Sequence, residues 1–96
     1  MNKAKFFALL DNTLKLHNDA SNRYTAADFQ PYEFHENPDN FAKWKAENPD
    51  YPWIAHSSGY KLKECWLVCV ISHRTAEAAT KQTAIFARWI AEYKAK

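Results

Sequence analysis

A single glycine, Gly59, stands among 96 residues. Loops that cradle phosphate in P-loop and dinucleotide-binding proteins need several glycines, because the backbone must close on the anion without side chains in the way. Both readings are excluded, and so is the GXXG loop of KH domains. Long apolar runs are missing as well. The longest, Cys65 to Ile71, has seven residues, against the roughly 20 that a membrane-spanning helix requires. Lys3 and Lys5 precede FFALL, but Asp11 and Asn12 cut that run short of an export signal's apolar segment. The expectation is a cytoplasmic protein with no membrane association, its two cysteines reduced.

With 47% hydrophobic and 25% charged residues, the chain has the material for one core in one domain spanning 1–96, and its composition is that of a folded chain, not a disordered one. Six Phe, five Tyr and four Trp are many for this length, so some of them are expected to serve a surface as well as the core. The net charge of +2 is small but unevenly spread. Residues 24–60 hold six acids against Lys43 and Lys45, whereas residues 61–96 are basic by a similar margin.

Hydrophobic periodicity assigns the elements. Phe6, Leu9, Leu10, Leu14 and Leu16 recur at near-helical spacing over 3–17, with Asp11 placed to pair with Lys15 four residues on. Thr25 and Asp28 suggest a capped single turn, and QPYEFH then alternates as an edge strand that opens on Pro31. Prolines 38 and 49 bracket FAKWKAE, a short helix with Phe41, Trp44 and Lys45 on one side. WIAHS and YKLKECWLVCVI are expected to pair as an antiparallel hairpin turning near Ser58 and Gly59, where glycine takes positive φ most easily. Thr75 caps a last helix with Glu77 in its first turn and Ala79, Gln82, Phe86, Trp89, Ile90 and Tyr93 as its inner stripe. The predicted fold is α+β in the order α-β-α-β-β-α: a small, mostly antiparallel sheet of about three strands, packed by long N- and C-terminal helices.

Cys65, Cys69 and His73 invite a metal reading. On a helix they would share a face, with His35 or His56 as a fourth ligand. Val68, Val70, Ile71 and Trp66 favour a strand instead, in which the two cysteines stand about 13 Å apart at ~3.3 Å per residue, too far for a disulfide or one metal. They are therefore expected to be inert thiols in a central strand covered on both faces, and no metal or cofactor is assigned. His56, Ser57 and Ser58 lack the strand-to-helix turn of a hydrolase nucleophile, and Glu33 with Glu36, or Asp39 with Asp50, are explained as solvated charges. No enzyme is expected.

Two binding surfaces are candidates. Glu33, Glu36, Asp39, Trp44, Asp50 and Tyr51 lie where acids and aromatics coincide, a pattern suited to a protein partner, because rigid rings bury much area at low entropic cost. The alternative is a nucleic-acid face of Lys61, Lys63, Arg74, Lys81 and Arg88, the last three recurring every seven residues. In style, a short, aromatic-rich single domain ending in a strand and a TAEAATKQ helix resembles the small inhibitors of phages and mobile elements, anti-CRISPR proteins among them. That resemblance implies a protein that occludes a surface of a larger, nucleic-acid-binding host complex.

Overall fold

The structure, a computed structural model, describes residues 1–47, 49–50 and 56–96. Helix α1 (Lys3–Asp19) opens with Asn2, whose Oδ1 accepts from the Lys5 backbone N–H at 2.8 Å. A 3-10 turn (Ala26–Asp28) leads into strand β1 (Phe29–His35), followed by helix α2 (Pro38–Glu47), strands β2 (His56–Leu62) and β3 (Trp66–His73), and helix α3 (Ala76–Lys94). The architecture is α+β in the predicted order. The three strands form an antiparallel sheet in the order β1-β2-β3, with α2 inserted between the first two. The start predicted for the second strand, at Trp53, lies outside the described residues.

One face of the sheet is covered by α1 and α3. Alternation puts Phe29 of β1 and Tyr60 and Leu62 of β2 on that face, where they pack with Phe6 and Leu10 of α1 and with Phe86, Ile90 and Tyr93 of α3. The rings interlock: Phe6 stacks on Phe86 with centroids 4.5 Å apart and meets Tyr60 edge-on at 5.7 Å, while Phe29 meets both Tyr60 and Tyr93 edge-on. Each polar end finds a partner. Thr13 donates its hydroxyl hydrogen to the Leu9 carbonyl at 2.8 Å, so its oxygen accepts from Tyr60 Oη, also at 2.8 Å. Burial raises the Tyr60 hydroxyl above the ordinary tyrosine value.

Several local expectations are met by specific contacts. The Thr25 N–H donates to Asp28 Oδ2 at 2.9 Å, Pro31 sits on an edge strand, and Thr75 Oγ1 accepts from the Ala78 N–H at 3.1 Å to open α3. The ion pair on α1 is shifted by one turn. Lys15 pairs with Asp19 at 2.8 Å, because Asp11 accepts instead from Tyr93 Oη at 2.6 Å and ties α1 to α3. Burial, together with that acceptor, raises the Tyr93 hydroxyl far above its ordinary range.

Two expectations are corrected. The hairpin turns at Lys63–Cys65, where Lys63 takes a left-handed φ of 51°, and not at Ser58 and Gly59, which lie inside β2. Gly59 has no positive φ; it stands beside a bulge, where the register moves from Gly59↔Cys69 to Ser58↔Ile71 and leaves Val70 unmatched. A Cβ on Gly59 would lie 1.8 Å from the Val68 carbonyl oxygen. The second correction concerns β3, which is an edge strand; the central strand is the polar HSSGYKL. Both cysteines are consequently exposed rather than buried in a doubly covered strand.

Gly59→Ala is expected to destabilise the fold by about 1–3 kcal/mol, the cost of forcing a backbone to yield to added volume. Thermal melts should show a fall of roughly 5 °C or more for a domain of this size. A melting temperature equal to that of the parent would contradict the close approach at the bulge.

Candidate functional site

β3 is one of the two edges of the sheet. Trp66–His73 carries no acidic or basic side chain other than the terminal histidine, and among the described residues no strand lies beyond it. Natural edges are commonly blunted by charges or proline; β1 has Pro31 and Glu33, and β3 has neither. Leu67 on the face away from the helices is 52% exposed and Trp66 is 45% exposed. Next to Trp66, a groove of about 230 Å³ opens between the end of α1 and the start of β3, lined by Thr13, Leu16, His17, Ala20 and Trp66.

Aromatic contacts hold the groove in shape. His17 meets Trp66 edge-on at 4.9 Å and Tyr24 at 5.6 Å. The Cys65 thiol donates to the Leu62 carbonyl at 3.4 Å, so its sulfur accepts from Tyr24 Oη at 3.0 Å. This contact with Cys65, ahead of burial and nearby negative charge, raises the Tyr24 hydroxyl above its ordinary value. Lys63 closes the cluster with its Nζ 5.5 Å from the centre of the Tyr24 ring and 3.8 Å from Asp28.

The predicted acidic-aromatic set is spread over several elements. Glu33 is turned toward α3, where its carboxylate accepts from Thr80 Oγ1 at 3.1 Å and pairs with His35. Glu36 accepts from the Asn37 N–H at 2.9 Å ahead of α2, Asp39 is exposed in the first turn of α2, Trp44 is half-buried on it, and Asp50 is exposed just after it. Tyr51 lies outside the described residues. The basic set is divided as well. Lys61 alternates with Tyr60 and Leu62 and so points to the face opposite α3, where it pairs with Glu64, whereas Lys81 and Arg88 are exposed on α3 itself. Lys63 is engaged with Asp28, and Arg74 is exposed in the turn before α3.

A row of histidines crosses the other end of the sheet. His35, His56 and His73 are register partners on β1, β2 and β3, all on the helix-covered face. His35 Nδ1 is 2.8 Å from His56 Nδ1, and His35 Nε2 pairs with Glu33. His73 Nε2 is 2.6 Å from Ser58 Oγ, a fully buried hydroxyl that also lies 3.4 Å from the Ala79 carbonyl. Ser58, within β2, thus satisfies a buried site with His73 and is not presented to solvent. The hydrogen bond from His35, aided by Thr83 and Thr80 and opposed by burial, holds the Glu33 carboxyl below the ordinary carboxylate range.

Among known proteins, no family model, curated protein or solved structure matches this chain. No described helix is long and apolar enough to cross a membrane. Sequence reasoning missed the groove and the edge. The available signals were Leu16, which falls off the Phe6, Leu10, Thr13 stripe, and an eight-residue strand free of Asp, Glu, Lys and Arg.

Two outcomes follow from this geometry. Brief alkylation of native protein should label Cys69 at a rate within a few-fold of the denatured chain, with Cys65 slower because its thiol is hydrogen-bonded; mass spectrometry of Cys65→Ser and Cys69→Ser variants separates them. Native protection of Cys69 would contradict its exposure. Glu33 has a lowered native pKa, so its contribution to stability is complete above the unfolded value of about 4.3 and is lost as pH falls through the native value. Glu33→Gln should therefore flatten the acid limb of the stability-pH profile, measured by urea melts from pH 7 to 3.

Proposed function

We propose that this chain is a protein-binding module whose working surface is the β3 edge together with the groove at its beginning. The observation that carries the reading is the coincidence of an edge strand free of Asp, Glu, Lys and Arg, with no strand beyond it among the described residues, and an apolar groove framed by Trp66 and Leu16. An extended segment of a partner protein adds as a fourth strand. Main-chain hydrogen bonds to β3 supply affinity, and an apolar side chain in the groove supplies selectivity. Lys63 and Arg74 flank the strand, so the segment that fits best is apolar in the middle and acidic at its ends. In its most concrete form the module is a cytoplasmic inhibitor that occludes a surface of a nucleic-acid-binding host complex, as small phage and mobile-element inhibitors do. No catalytic step is part of this reading.

A peptide-display library panned against the immobilised protein tests it. Selected peptides should be β-prone, with a large apolar residue flanked by acids. Amide shifts on binding should cluster at residues 66–73 and around Leu16 and Ala20. Trp66→Ala should weaken binding by roughly 30-fold or more, the scale of about 2 kcal/mol for a true anchor, and Cys69→Lys should weaken it by charging the edge. Shifts confined to α2 with loss on Trp44→Ala would move the site to the acidic-aromatic segment. Shifts confined to Lys81 and Arg88, with binding to single-stranded oligonucleotides that falls steeply with salt, would move it to nucleic acid.

A further inference from the structure

We propose that His35 and His56 form a two-nitrogen clamp for a first-row divalent cation of the zinc, nickel or copper kind, with Glu33 fixing the His35 ring from behind. The pair is built by the strand register. His35 and His56 are directly opposed on adjacent antiparallel strands, and Glu33, two residues before His35, falls on the same face. The Glu33 carboxylate is itself held by Thr80 Oγ1 at 3.1 Å. It engages His35 Nε2, which places the ring hydrogen on that nitrogen and leaves the Nδ1 lone pair aimed at His56. This is the arrangement by which a carboxylate fixes the tautomer and orientation of a ligating histidine.

In the metal-free pair a single hydrogen lies between the two Nδ1 atoms, 2.8 Å apart. A cation takes its place when the His56 hydrogen moves from Nδ1 to Nε2, so both rings remain neutral and each offers a lone pair to the same point. Two imidazole nitrogens on tetrahedral zinc, each about 2.0 Å from the metal, stand about 3.3 Å apart. The required opening of roughly half an ångström is small for rings at the rim of the sheet, where the His35 side chain is 37% exposed. Neutral imidazole selects zinc, nickel and copper over magnesium and calcium. Among the described residues no three acidic, histidine or cysteine side chains converge on one point, so the clamp supplies two donors and water completes the coordination. His73 does not join, because its Nε2 is engaged by buried Ser58. A bound ion would tie the end of β1 to the start of β2, across the connection that carries α2.

Calorimetric titration of Zn²⁺ at pH 7.5 tests the clamp, using the full chain with both cysteines replaced by serine so that thiolates do not compete. Binding should be one to one. Long-range ¹⁵N spectra of the histidines should show the Nδ1 resonances of His35 and His56 moving together, with His17 and His73 unmoved. His35→Gln and His56→Asn should each reduce affinity by about 100-fold or more, and Glu33→Gln by about 10-fold, as loss of a group that orients a ligand does. Thermal melts identify any variant that no longer folds. Zinc should raise the melting temperature of the parent and leave that of the two histidine variants unchanged. Retained affinity in folded His35→Gln and His56→Asn, an equal loss in His17→Ala, or no binding at millimolar zinc would overturn the proposal.

Discussion

The stack of Phe6 on Phe86 joins the two ends of the chain, and the remaining structure depends on it. α1 and α3 are separated by the whole sheet in sequence, and each contributes rings to the same core. Their rings close over Tyr60 and Phe29, so the helix pair and the sheet share one aromatic core. Removal of such a ring costs about 3–5 kcal/mol, a large part of the 5–15 kcal/mol by which a domain exceeds its unfolded state. Hydrogen bonds from Tyr60 to Thr13 and from Tyr93 to Asp11 then fix where each ring stops. The position of α1 follows, and the groove at its C-terminal end follows from that.

The central strand is an unusual choice for a core, since HSSGYKL is mostly polar. Two of its buried hydroxyls are matched: Ser58 with His73 and the Ala79 carbonyl, and Tyr60 with Thr13. The bulge beside Gly59 belongs to the same arrangement. It places Ile71, rather than Val70, opposite Ser58 and draws the β3 backbone so close that only glycine fits beneath it. A polar strand in the middle leaves the most apolar one at the edge. This inversion exposes Leu67, Cys69 and Trp66, and it is the physical origin of the proposed docking surface.

The two proposed sites occupy opposite ends of the sheet and use different physics. At the Trp66 end, apolar area and a strand edge with no further strand beside it among the described residues favour a macromolecular partner. At the His56 end, the cross-strand register brings His35 Nδ1 to His56 Nδ1 while His35 Nε2 engages Glu33. Glu33 stands apart from the other acidic residues predicted as one surface. It is bonded to His35 and Thr80 on the helix-covered face, whereas Asp39 stands in solvent on α2.

Much of the architecture was legible in the chain because it rests on local rules. The 3.6-residue stripes of α1 and α3, the caps at Thr25 and Thr75, the prolines around α2 and the β-branched run of β3 each specify an element from its own residues. The apolar run of β3 could not reveal its neighbours: seven apolar residues look the same in a covered strand and in an edge strand left open for a partner. Gly59 was likewise conspicuous, but its reason is a backbone that approaches from another strand, and positive φ is instead taken by Lys63. The histidines at 35, 56 and 73 are far apart in sequence and share a row only through the register. The sequence by itself determined which segments become helices and strands. Strand order, burial of polar Ser58 and exposure of Trp66 were decided by the tertiary structure, because they depend on contacts between segments that carry no mark of one another.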